Sequence, residues 1–132
     1  MPAKTKPVRR YINLPDRPAS LPFNDAVLVG DTLYLSGRIG IDPATGAVPD
    51  DVSQELRLLF DGFEAVLREA NMSMDDLVWV QVYAPDISLW ERFNVAYLGR
   101  FSKELPARAF IGSGQLLMHG RFEMLGVAVK RF

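Results

Sequence analysis

Residues 56–83 read LRLLFDGFEAVLREANMSMDDLVWVQVY, and the hydrophobic period changes partway along. Leu56, Leu59, Phe60, Phe63, Val66, Leu67 and Ala70 fall at i, i+3, i+4, i+7, i+10, i+11 and i+14, which predicts an amphipathic helix with one buried face. Ser53 or Asp51 can cap its start and Asn71 can stop it. Leu77 to Tyr83 is an apolar, β-rich run ended by Pro85, which reads as a strand.

Upstream, Ala26 to Val29 and Leu33 to Leu35 flank Gly30-Asp31 and read as a β-hairpin, with Thr32 completing the turn. Asp42 to Gly46 is a turn. Five of the nine prolines (Pro2, Pro7, Pro15, Pro18 and Pro22) lie within residues 1–22. Residues 1–19 are therefore read as an extended arm and residues 20–132 as a single domain. Val8 to Leu14 of the arm can add an edge strand, where proline is tolerated. Downstream, Ser88-Leu89-Trp90-Glu91 has the pattern of a capping box and opens a second helix with Trp90, Phe93, Tyr97 and Phe101 on one face. Strands follow near 107–112 and 121–130, separated by Gly112-Ser113-Gly114 and a loop holding His119.

The resulting order, β-β-β-α-β-α-β-β, predicts an α+β sandwich with a mixed sheet and both helices on one face. Leu77 to Tyr83 is apolar on both faces of its strand, so the second face of the sheet also needs cover. In a chain of 132 residues a second subunit is the expected source of it.

Bulk composition narrows the function classes. The chain is 48% hydrophobic and 23% charged, as soluble domains are. A net charge of −1 argues against a general nucleic-acid binder. With no cysteine there is no disulfide, thiol nucleophile or thiolate metal site, and the lone His119 gives no metal-ligand set. No stretch is long and apolar enough to span a bilayer, and no apolar segment follows Lys4, Lys6, Arg9 and Arg10 to make a signal peptide. A cytoplasmic protein is expected, without metal or cofactor.

Two charges stand out. Arg108 lies within Ala107 to Ile111, an apolar run that reads as a buried strand, and Glu123 lies within Phe122 to Val129, on a strand expected to be close by. Charges in core strands are costly unless paired or used. The guanidinium fork matches a carboxylate, so Arg108 is a candidate carboxylate-binding group and Glu123 a candidate acid/base. Read alone, Arg108 equally fits a structural ion pair with Glu104, Glu123 or a neighbouring subunit.

Over roughly residues 20–131 the chain resembles the Rid/YjgF family, the reactive intermediate deaminases, also called L-PSP endoribonucleases. The resemblance rests on Leu35-Ser36-Gly37-Arg38-Ile39-Gly40, on Asp42-Pro43 followed by Thr45-Gly46, on Asn94, on Pro106-Ala107-Arg108, and on Arg121-Phe122-Glu123 leading into Val127-Ala128-Val129. It implies a chorismate-mutase-like homotrimer whose sheets line a central β-barrel, with active sites between subunits. It further implies that Arg108 binds the substrate carboxylate, that Glu123 handles water, and that Phe23, Ser36, Gly37, Asn94 and Phe110 contact substrate. The sequence departs from the family where Phe23 replaces a common tyrosine, Phe110 a common cysteine and Arg38 a frequent glutamine. The implied reaction is cofactor-free hydrolysis of 2-imino or enamine acids, resembling 2-aminoacrylate, to 2-oxo acids and ammonia. The competing classes are a non-catalytic binder or sensor of small carboxylates, a chaperone-like protein, and an endoribonuclease. One histidine and a net charge of −1 argue against the last.

Overall fold

A computed structural model describes residues 8–131. Six strands form one mixed sheet: β1 (Arg9–Ile12), β2 (Ala26–Val29), β3 (Thr32–Ile39), β4 (Leu77–Ala84), β5 (Ala107–Gly112) and β6 (Glu123–Val129). Their order across the sheet is β1-β2-β3-β6-β4-β5, with only β4 and β5 parallel. Helix α1 (Val52–Glu69) connects β3 to β4, and α2 (Trp90–Leu98) connects β4 to β5. The expected α+β order is present. The expected edge strand forms as β1, paired with β2; the first seven residues of the arm, with Lys4 and Lys6, lie outside the described residues.

The β2–β3 hairpin closes on Gly30-Asp31, with Val29 opposite Thr32. Gly30 has φ +59°, a conformation that glycine adopts without steric cost. In α1 the side chain of Asp51 accepts from the Ser53 amide, so Asp51 is the cap. Leu56, Leu59, Phe60, Phe63, Val66 and Leu67 are buried on one stripe, as their spacing requires. The sheet comes close beneath them: a Cβ on Gly126 of β6 would lie 3.4 Å from the Phe63 ring.

Two expectations are corrected. The second helix is not opened by a capping box at Ser88. Asp86 takes that role, accepting from the Ser88 amide at 3.0 Å and from its hydroxyl at 2.6 Å, and one turn of 3-10 helix (Ile87–Leu89) precedes α2. Strand β5 is not buried. It is an edge strand on which Ala107 and Ile111 are exposed and Arg108 to Phe110 half-buried.

The register assigns each residue to a face of the sheet. Leu35, Gly126, Val80 and Arg108 form one row across four strands. Arg38, Met124, Val82 and Phe110 form another. Both rows face the helices. The opposite face carries Tyr34, Val127 and Trp79 in a row, and Ile39, Glu123, Tyr83 and Ile111 in another. Tyr34 is 53% and Trp79 38% exposed, so this second face is apolar and uncovered in the single chain. Among the described residues no helix is long and apolar enough to cross a membrane.

Candidate active site

Arg108 projects from β5 onto α2. Its guanidinium carbon lies 4.6 Å from the ring centre of Tyr97, 5.6 Å from Phe93 and 5.7 Å from Phe110, within reach of cation–π attraction. Nη2 donates to Asn94 Oδ1 at 2.8 Å. That is its only hydrogen bond among the described residues, so Nη1 and Nε remain free for a ligand. The cage rests on an aromatic cluster in which Phe93 lies 5.5 Å from Phe60, 5.4 Å from Phe110 and 5.3 Å from Phe122. Asn94 and Phe110 are thus brought to Arg108.

Tyr97 belongs to this cage and was not among the expected site residues. Its hydroxyl is buried within reach of the Arg108 guanidinium but makes no well-formed hydrogen bond among the described residues. Burial pushes the phenol pKa up to about 12, against the opposing charge of Arg108. In the sequence, Tyr97 was visible only as one aromatic on the inner stripe of α2.

Glu123 opens β6 on the other face of the sheet. Its carboxylate packs on the backbone of β3: a Cβ on Gly37 would lie 3.0 Å from Oε2 and 3.1 Å from Cδ. Ser36 and Gly37 form a β-bulge, since Leu35 pairs with Gly126 but Arg38 with Met124. The Ser36 hydroxyl donates to the Asn24 carbonyl at 2.5 Å and its amide to the Asp25 carbonyl at 3.0 Å, so this serine secures the strand. Phe23, 46% exposed, packs under Arg17 and, with Gly37, borders a cleft of about 420 Å³.

The residues therefore fall into two groups. Arg108, Asn94 and Phe110 face the helices; Glu123, Gly37 and Ser36 lie at the opposite face. Strand β4 separates β5 from β6, so Arg108 and Glu123 stand about two strand spacings, roughly 10 Å, apart across the sheet. They are also offset by three residues along it, Arg108 pairing with Val80 and Glu123 with Tyr83. The expected proximity does not occur within one chain.

A further pair anchors this region. Glu55 of α1 is fully buried, and its Oε2 accepts from the Arg121 amide at 2.7 Å while Oε1 accepts from Arg121 Nη1 at 2.6 Å. The same guanidinium donates to the carbonyls of Pro49 at 3.1 Å and Asp50 at 2.7 Å. The approach is close: a Cβ on Gly40 would lie 2.2 Å from the Glu55 carbonyl oxygen. This clamp fixes the chain just before Glu123. A charge inside the apolar stripe of α1 was the available signal for it. His119 ends a 3-10 turn (Leu117–His119) with φ +57°, and its one hydrogen-bond contact among the described residues is Gln115, Nδ1 to Nε2 3.2 Å.

With this geometry in place, comparison with known proteins decides the family. The sequence profile described as "Endoribonuclease L-PSP" matches residues 14–130. The chain belongs to the Rid/YjgF family. A Rid relative from Capra hircus named 2-iminobutanoate/2-iminopropanoate deaminase is 34% identical over 125 residues, covering 93% of this chain and 91% of that protein. A RutC family protein of Pyrococcus abyssi is 32% identical over 110 residues, covering 83% of this chain and 87% of that protein. Among solved Rid structures, RidA from an Antarctic Psychrobacter superposes with a TM-score of 0.84 at 27% identity, over 92% of this chain and 100% of that one. The YjgF gene product of E. coli superposes with a TM-score of 0.84 at 28% identity, over 92% of this chain and 99% of that one.

Proposed function

We propose that this Rid protein hydrolyses reactive 2-imino and enamine acids to 2-oxo acids and ammonia. The observation that carries the reading is the caged guanidinium of Arg108, held by Asn94 and Tyr97 with Nη1 and Nε free. Such a group is held in place and still has N–H donors to offer a substrate carboxylate. Its clamp fixes the imine carbon beside a water, so that catalysis is chiefly positioning. Glu123 takes a proton from the water as its oxygen bonds to that carbon. The proton passes to nitrogen to give a carbinolamine; Glu123 then moves the hydroxyl proton to that amine, the carbonyl forms as the C–N bond breaks, ammonia leaves, and the 2-oxo acid remains. No step calls on a cofactor. The deaminase name of the Capra hircus relative supports the same reading.

Because Arg108 and Glu123 occupy opposite faces of one sheet, the working site pairs Arg108 of one protomer with Glu123 of another. The uncovered row of Tyr34, Val127 and Trp79 supplies an apolar surface for that assembly, a homotrimer with the sheets turned inward around a central barrel. Phe110 beside Arg108 makes this pocket more apolar than one with cysteine there.

The test generates imino acids with an amino-acid oxidase and follows their decay by ultraviolet absorbance. Accelerated decay that falls about 10- to 100-fold in Arg108→Ala is expected, the range for hydrogen bonds to a charged group. No acceleration for any imino acid defeats the reading. Carboxylate binding without turnover instead assigns the protein to the binders.

A further inference from the structure

Between β1 and β2 the described chain forms neither helix nor strand, so residues 13–25 have no ladder to hold them. Side chains hold them instead. Asn13 Nδ2 donates to Asn24 Oδ1 at 2.8 Å, and Asn13 Oδ1 accepts from the Asp25 amide at 2.9 Å. The Asp25 carboxylate, 7% exposed, accepts from the Leu14 amide at 2.8 Å. The two ends of the segment are thus tied to each other. Pro15, Pro18 and Pro22 stiffen what lies between.

Of residues 15–20 only Arg17 turns inward; the other five are exposed. Its Nη1 donates to Asp25 Oδ1 at 3.2 Å and to Asn13 Oδ1, and its Nη2 donates to the Phe23 carbonyl. Its guanidinium carbon lies 5.5 Å from the centre of the Phe23 ring, within cation–π range. Arg17 therefore holds Phe23 twice, by its carbonyl and by the face of its ring. Phe23 is itself half-exposed and borders the cleft beside Gly37, on whose backbone the Glu123 carboxylate packs. Leu14, Pro18 and Leu21 of the same segment join it in the cleft wall.

We propose that Arg17 is a positioning residue: it buckles residues 14–24 down as one wall of the substrate cleft and sets the Phe23 ring toward the imino acid. This role rests on the imine-hydrolysis reading. Arg17 takes no part in the chemistry and acts through Phe23. Its loss loosens binding and leaves the Arg108 clamp and the Glu123 proton transfers as they are.

The test measures kcat and KM for the imino acid formed from phenylalanine. In Arg17→Ala, KM should rise about tenfold, the loss of hydrogen bonds from a charged group, while kcat stays within about twofold. In a Phe23→Ala background the same change should alter KM less than about twofold, because Arg17 then has no ring to place. Chymotrypsin cuts after phenylalanine. Cleavage following Phe23 should be about tenfold faster or more in Arg17→Ala, with the far-ultraviolet spectrum retained. Arg17→Met, which keeps the stem and loses the donors, gives the same comparisons if Arg17→Ala does not fold. Equal KM effects with and without the Phe23 ring overturn the proposal. So does a fall in kcat alone, or an unchanged cleavage rate. A parent without imine turnover defeats the functional reading only, and the cleavage rate then decides whether Arg17 holds the segment.

Discussion

The Arg121 guanidinium and backbone amide both close on the buried carboxylate of Glu55, at 2.6 and 2.7 Å. One ion pair thereby ties the start of β6 to the first turn of α1. Glu55 is fully buried while Arg121 is 32% exposed, so removing Glu55 forfeits its hydrogen bonds, about 1.5–3 kcal/mol for a bond to a charged group, and strands the Arg121 amide. Glu55→Ala should lower the urea unfolding free energy by about 3 kcal/mol. It should also reduce turnover, since Glu123 begins only two residues beyond the clamp. A loss below about 1 kcal/mol would mean that the pair is dispensable.

Gly37 and Gly40 should respond differently to the same methyl group. At Gly40 the new Cβ meets the Glu55 backbone oxygen at 2.2 Å, and neither backbone can move cheaply. At Gly37 it meets the end of the Glu123 side chain at 3.0 Å, which can swing aside. Gly40→Ala should destabilise by about 2 kcal/mol or more. Gly37→Ala should fold with a loss under about 1 kcal/mol while kcat falls, because the displaced group is the proposed base. Thermal melts and imine turnover read the two effects separately.

The buried hydroxyl of Tyr97 predicts a pH signature. Its pKa rises from 10.0 unfolded to about 12 folded, so the folded state favours the neutral phenol. Stability from this group is complete below about pH 10 and is lost as pH climbs toward 12. Tyr97→Phe removes that loss, and the hydroxyl it deletes makes no well-formed hydrogen bond. The variant should be at least as stable as the parent at pH 7 and gain on it above pH 10. Chemical denaturation at a series of pH values would show the difference; parallel pH profiles would refute it.

Trp79 sits beside Val127 on the face away from the helices, with Tyr34 on the other side of Val127. Trp79→Asp places a charge on that apolar row. It should convert the proposed trimer to smaller species in light scattering and abolish imine turnover, with the far-ultraviolet spectrum of the chain retained. Unchanged mass would show that this face does not mediate assembly.

The elements with a strong period were legible from residue order. The seven apolar positions from Leu56 to Ala70 gave α1, and Gly30-Asp31 gave the hairpin, because both signals are local. The relation of Arg108 to Glu123 was not legible. It depends on pairing through β4, where Val80 and Tyr83 are three residues apart and so point to opposite faces. Register of that kind arises from tertiary pairing. Strand β5 looked buried because Ala107 to Ile111 is apolar, yet its position at the sheet edge exposes it. Ser88 matched a helix cap by pattern, but Asp86 accepts both Ser88 donors and starts the turn earlier. Arg108 and Glu123 could be picked out individually, since charge in an apolar strand needs a reason. Tyr97 and Glu55 acquired their roles only from what packs around them.

Strand β6 lies between β3 and β4 although it comes after both in the chain. Until it is synthesised, β1 to β3 on one side and β4 with β5 on the other have no ladder joining them. The nascent protein therefore exposes two unfinished edges while it is on the ribosome, and its hydrophobic layer can close only when residues 123–129 have emerged. Long-range pairing of this kind raises the sequence separation of the contacts, which slows folding relative to folds built from local pairs.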